Sequence, residues 1–218
     1  AEAYLLIENR SVTRAYQDEI NSALSSPELW KHMIKKYSWH ISIPGTTNWE
    51  LGGKLYAKMD KYAQQFVTRY IYQQLPVYGA SFQQHPTKFC PLCKRETETF
   101  AHFNECKANK ETWTDFIPTL TQVYNKYDVD PALRILINMA IVSKNPQEVM
   151  DKNALPWDDY KNLIQEQTKI GWSQIQLGRY SNQWTWHQYR YASQYDKRST
   201  TIWLYQVIKK TWKYARTR

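Results

Sequence analysis

The sequence predicts a mainly α-helical fold, a helical bundle into which one small cysteine-rich segment is inserted. Three observations predict it. Apolar residues recur at intervals of three and four over most of the chain, the period of a helix with one buried face. Strand-like alternation is scarce outside the few residues that flank the cysteines. All three cysteines fall within a 17-residue window, Cys90 to Cys106, with a histidine among them.

The elements follow in order. Residues 2–24 read as a first helix on an approximate stripe of Leu5, Ile7, Val12, Tyr16, Ile20 and Leu24. Ser26-Pro27 opens a second, with Pro27 at the first helical position and Glu28 in the first turn. Leu29, Trp30, Met33, Ile34 and Tyr37 form its apolar face. Pro44-Gly45 breaks the chain before a long helix, about 48–74, bearing Leu51, Leu55, Met59, Tyr62, Phe66 and Tyr70. Leu75-Pro76-Val77-Tyr78-Gly79 ends that helix and leads through a polar loop to the cysteines. Shorter helices are expected over 112–127, 130–142 and 146–150. Pro156 precedes another long helix, 157–195, with Ile164, Thr168, Trp172 and Ile175 on one face. Ser199 or Thr200 caps a last helix, with Ile202, Tyr205, Ile208 and Trp212 inward and Lys209, Lys213 and Arg216 outward. The domains implied are an N-terminal helical region over 1–86, a knuckle over 87–113, and a C-terminal helical region with a basic end over 114–218.

The cysteine spacing is C-x2-C-x8-H-x3-C, formed by Cys90, Cys93, His102 and Cys106. Two cysteines separated by two residues can place both sulfurs on one metal from a tight turn, and Pro91 helps to preset that turn. His102 and Cys106 lie four apart, so one helical turn points both at the same ion. Three cysteines cannot all pair as disulfides, and no secretory signal precedes them. Three unrelated buried thiols are disfavoured, because Lys88, Lys94, Arg95 and Lys107 surround them. The expectation is one zinc ion with four protein ligands and no open position, hence a structural rather than catalytic ion. Such an ion would act as the core of a loop too short to bury one, at roughly 10–16 kcal/mol near neutral pH.

Hydrophobic residues make up 42% of the chain, enough for a core, and no apolar run approaches a membrane span. The chain does not begin with Met, so a fragment or processed piece is expected; the location predicted is intracellular, cytoplasmic or nuclear, not secreted. Net charge is +9, and all of it lies late: residues 161–218 hold eleven Lys and Arg against Glu166 and Asp196. The first 160 residues hold 18 bases and 18 acids. A one-sided basic tail attracts polyanions, nucleic acid foremost, although a solvated basic helix end is the plainer alternative.

Cys90-Pro91-x-Cys93, then Glu98-Thr99-x-x-His102-Phe103-x-x-Cys106 and a downstream Trp113, resembles a zinc-binding segment in reverse transcriptases of non-LTR-type mobile elements, C-terminal to the polymerase domain. The likeness continues outside the motif. Leu75-Pro76 … Gly79 is similar to the family's Leu-Pro-Thr-Gly turn, although one residue differs in length. Gln165-Glu166-Gln167 … Ile170-Gly171-Trp172 … Leu177-Gly178-Arg179 … Ser181 … Trp184 resembles a downstream stretch of such proteins from eukaryotic microbes, where it precedes a closing helix like Trp203 … Trp212. Lys107 stands where a proline often follows the last cysteine. No Tyr-x-Asp-Asp box or palm sequence is present. The resemblance therefore implies a non-catalytic part of a polymerase polyprotein, with the polymerase domain of that protein as a partner.

The leading functional expectation is a zinc-stabilised nucleic-acid-binding region that positions template RNA or target DNA. Lys94, Arg95 and Lys107 flank the ligands, and Lys209, Lys210, Lys213 and Arg216 supply a second basic group. Phe89 or Phe103 could stack on a base, but packing on the metal loop is the plainer role for each. Trp184, Trp186, Tyr189, Arg190, Tyr191 and Tyr195 could form a stacking platform, although large aromatics at this spacing are more often core. The alternative is a zinc-stapled protein-interaction scaffold without nucleic-acid binding. An enzyme has little support, and no small-molecule substrate or membrane partner is expected. Gly52-Gly53 stands alone, His32, His40, His85 and His187 form no nucleophile or metal pattern, and Asp158-Asp159 reads as a pair of first-turn acids.

Overall fold

Helices carry most of the chain in the computed structural model, which describes residues 5–7, 10–12, 30–80, 86–142, 157–192 and 199–217. The mainly α expectation holds. The chain divides into two compact units, Ala1–Thr46 and Thr47–Arg218. No helix among the described residues is long and apolar enough to cross a membrane.

In the first unit, strand β1 (Leu5–Ile7) pairs antiparallel with β2 (Arg10–Val12), Leu6 opposite Ser11. The helix expected over 2–24 is therefore corrected where it is described. A short apolar run such as Leu5-Leu6-Ile7 fits a strand as well as a helix, and periodicity cannot separate them. Helix α1 covers 30–37 and ends at Ser38, whose φ of 53° lies in the left-handed region. Met33 is buried on its inner face. Pro44-Gly45 does not simply break the chain but lies within a one-turn helix, α2 (Ile43–Thr46).

The second unit opens with α3 (Trp49–Ala57) and α4 (Lys61–Ile71), where the sequence predicted one helix over 48–74. The break follows from a cap. The Asp60 carboxylate accepts the Ala63 N–H at 2.8 Å and starts a new helix. The Gln64 side chain then donates to the Tyr56 carbonyl at 3.1 Å and ties the elbow together. Both helices still turn Leu51, Leu55, Val67 and Tyr70 into one core, which is why the apolar period runs unbroken across the joint.

After the cysteine segment come α5 (Phe100–Glu105), α6 (Lys107–Lys126) and α7 (Pro131–Val142). Helix α6 starts at Lys107 rather than at 112. Helix α7 is apolar on nearly every side and has Leu133, Leu136 and Ile137 fully buried. The segment over 146–150 lies outside the described residues.

The expected helix over 157–195 is also corrected. It is a 3-10 turn (Trp157–Tyr160), α8 (Lys161–Ile170), a second 3-10 turn (Trp172–Ile175) and α9 (Gln183–Tyr191). Gly171 and Gly178, with φ of 103° and 80°, end the helical path at two places. Gln167 locks the result: its side-chain oxygen accepts from Ser181 N–H and Trp184 Nε1, and its amide donates to the Gly171 and Arg179 carbonyls. A fully buried amide with all its partners costs nothing in unmet polarity.

Helix α10 (Ser199–Arg216) closes the unit against α3, α6 and α9. Ser199 is its first residue, and the side chains of Ser199 and Thr200, the expected caps, lie outside the described residues. Ile208 and Trp212 point inward as predicted, whereas Ile202 is exposed. Trp113, Trp184 and Trp203 are fully buried. Each removes roughly 150–250 Å² from water, about 4–6 kcal/mol of transfer free energy as an upper bound. Aromatic mass is thus chiefly a core device here.

Candidate metal centre

The cysteine segment is shaped by its own backbone. Phe89 and Thr97 form an antiparallel bridge, with Cys90 N–H on the Glu96 carbonyl and Glu98 N–H on the Lys88 carbonyl, both at 2.8 Å. Between them Cys90-Pro91-Leu92-Cys93 turns tightly, and Lys94 N–H closes the turn on the Cys90 carbonyl at 2.8 Å. Lys94 itself takes a positive φ of 56°. On the far side, the Thr99 hydroxyl accepts the His102 N–H at 3.0 Å and caps α5. Cys106 N–H bonds the His102 carbonyl at 2.7 Å, so one helical turn separates these two ligands. Cys106 also stands at the N-cap of α6, so the last ligand is placed where one helix ends and the next begins.

These two arms bring Cys90, Cys93, His102 and Cys106 together, with every ligand atom within 4.8 Å of the others. The Cys90 and Cys106 sulfurs are 3.9 Å apart, and Cys93 Sγ lies 3.3 Å from His102 Nε2. A tetrahedral zinc site has edges of about 3.8 Å between sulfurs and about 3.6 Å between sulfur and nitrogen. The four residues lie close enough to hold one metal ion, and their donor set is compatible with zinc. Cys90 and Cys106 are 1% and 3% exposed. The Cys93 thiol is drawn down to about 6, chiefly by the backbone N–H groups of Arg95 and Glu96, whereas burial pushes the Cys90 thiol up.

Three residues that sequence reasoning did not assign complete the centre. The Glu96 carboxylate lies 3.1 Å from His102 Nδ1 and would fix the ring with Nε2 free to ligate. Buried Glu98 accepts the Tyr78 N–H at 2.7 Å and through its carbonyl the Gly79 N–H at 3.0 Å. A Cβ at Gly79 would meet Thr97 Cγ2 at 2.6 Å, so only glycine permits this approach. The Leu75-Pro76 … Gly79 stretch is thus a strut for the metal segment. Glu96 left no signal beyond being an acid near the ligands; Gly79 was signalled by the turn that the resemblance drew attention to.

The basic residues fall in two places. Lys94 and Arg95 are exposed on the metal turn. Lys107 opens α6, and its side chain lies outside the described residues. On α10, Lys209, Lys213 and Arg216 are exposed, whereas Lys210, expected in the same basic group, is half-buried. Phe103 is half-buried against Phe100 at 6.4 Å and against the core, whereas Phe89 is 54% exposed. Trp184 is core, packed edge-on against Trp172 and Tyr180. Trp186, Tyr189 and Tyr191 are exposed, and the Arg190 guanidinium lies 4.8 Å from the Trp186 ring. Tyr195 lies outside the described residues. Asp158 and Asp159 are exposed in the 3-10 turn. Comparison with protein-family models, with curated proteins and with solved structures yields no match to this chain.

Proposed function

We propose that Cys90, Cys93, His102 and Cys106 hold one structural zinc ion and that the chain is a non-catalytic nucleic-acid-binding region. Its setting would be a mobile-element reverse transcriptase, downstream of the polymerase domain, where it positions template RNA or target DNA. The observation that carries this reading is the closed set of three sulfurs and one imidazole, with exposed Lys94 and Arg95 in its own turn. Four protein ligands leave no position for substrate, which favours a folding role for the ion over a catalytic one. The charge of +9, all of it after residue 160, supplies the phosphate attraction, with Lys209, Lys213 and Arg216 exposed along α10.

The test is the salt dependence of binding to single-stranded RNA and DNA. Affinity should fall linearly with salt on logarithmic axes, and Lys209→Glu with Lys213→Glu should flatten the slope. Salt-independent affinity, or none, counts against the proposal. A second reading, a zinc-stapled scaffold for another protein such as the polymerase body, draws support from Phe89 and Leu92, both half exposed on the metal segment. Capture of the polymerase domain without any nucleic-acid binding would favour it.

A further inference from the structure

A groove of about 430 Å³ runs between α4, the 75–78 segment, the metal turn and the end of α10. Tyr62, Phe66 and Arg69 line it from α4, Pro91 and Phe103 from the metal segment, and Arg216 from α10. Its size suits a small ligand or a single splayed-out base. Tyr62 is 78% exposed, far above what a tyrosine needs for packing, and Arg69 and Arg216 are exposed too. Glu98 is the acid in the lining, and its carboxylate is already occupied by the Tyr78 N–H. Two guanidiniums on two different helices outnumber that one carboxylate, so the lining keeps a net positive charge.

We propose that this groove seats a nucleotide of a single strand, the base against Tyr62 and the phosphate engaged by Arg69 and Arg216. The inference rests on the nucleic-acid reading above and adds a place to it. Guanidinium forks match phosphate oxygens in a way that a generic cation does not. An aromatic face beside them accepts any base, which suits an unpaired strand rather than a duplex. Pro91 follows the ligand Cys90, and Phe103 follows the ligand His102, so one wall of the groove is carried by the metal segment. Binding at this place then depends on an intact centre, although no ligand residue touches the strand.

The test uses the whole chain with its metal and a fluorescent polyuridylate of about 12 nucleotides. Tyr62→Ala should weaken binding about 5- to 100-fold with little change in salt slope, whereas Tyr62→Phe should retain most of it. Arg69→Gln and Arg216→Gln should each weaken binding and lower the slope by about one ion. Lys169→Gln, an exposed base outside the groove, should change the affinity less than either. If the wild-type chain binds and the Tyr62 and Arg69 variants bind equally well, the groove is wrong and the nucleic-acid reading survives. If the wild-type chain binds no strand, both fall. Equal, Tyr62-dependent affinity for polyglutamate would overturn the nucleotide assignment in favour of an acidic peptide.

Discussion

The Glu96 carboxylate stands 3.1 Å from Nδ1 of His102, on the opposite edge of the ring from Nε2, which lies 3.3 Å from the Cys93 sulfur. A ligating imidazole gains basicity and a fixed tautomer from such a partner. Glu96→Ala should therefore lower metal affinity about 10- to 100-fold, measured by competition with a chromophoric chelator. Glu96→Gln should lose less, because its amide oxygen still accepts from Nδ1. Equal metal affinity in all three proteins would show the contact to be incidental. Glu96 is exposed, so the fold of the chelated chain should not change.

Chelation tests how local the proposed structural role of the metal is. Chelation should speed amide exchange of Cys90 and Lys94, whose N–H groups bond within the turn, by about tenfold or more, because a loop this short has no core to replace the ion. Leu136 and Ile137, fully buried in α7, should keep their protection. Cys93→Ser should reproduce the pattern, with metal content falling from about one equivalent per chain to near none. Uniform loss of protection in α7 would mean the centre holds up the whole unit; unchanged exchange at Cys90 would mean the turn stands without metal.

What the sequence made legible was whatever depends on spacing. Cys90, Cys93, His102 and Cys106 were readable because a tight turn and one helical turn are the local ways to aim two ligands at one point. Helix α7 and the inner face of α10 were readable from their apolar period. What depended on a single cap or dihedral was not. Asp60 starts a new helix, and Gly171 and Gly178 stop one, without disturbing the spacing of Leu51, Leu55, Val67 or of Leu163 and Trp184, since the pieces on both sides pack on the same core. Glu96 was hidden for another reason: its partner, His102, sits six residues away, and no spacing rule marks an acid at that place.

Gly178 offers a sharp check on that core. Its φ is 80°, and a Cβ there would lie 2.6 Å from Trp212 Cζ2 and 3.4 Å from Ile208 Cγ2. Gly178→Ala should cost about 2–4 kcal/mol in urea unfolding, from left-handed strain and an overpacked indole together. Gly53→Ala is the opposite case. Gly53 lies inside α3, and a Cβ there would meet nothing within 4 Å, so alanine should stabilise by roughly 0.5–1 kcal/mol. Equal effects at the two sites would refute the packing argument.

His187 predicts a pH dependence. Its ring is buried, stacked on Tyr160 at 4.6 Å and meeting Trp186 edge-on at 4.8 Å. Burial holds the imidazole below its usual value, with Asp130 and Asp159 opposing that shift and Arg190 adding to it. As pH falls through the unfolded value of about 6.5, the unfolded chain takes up a proton that the folded chain still refuses. Stability should therefore decline below about pH 6.5 and level off only beneath the lower folded value. Protons also compete for the metal ligands, so wild type alone cannot isolate this term. His187→Phe keeps a ring against Tyr160 and removes the titration, while leaving the metal contribution the same in both proteins. The difference in unfolding free energy between variant and wild type should thus grow in the variant's favour from about pH 7.5 to about pH 5.5, and parallel curves over that range would sink the assignment.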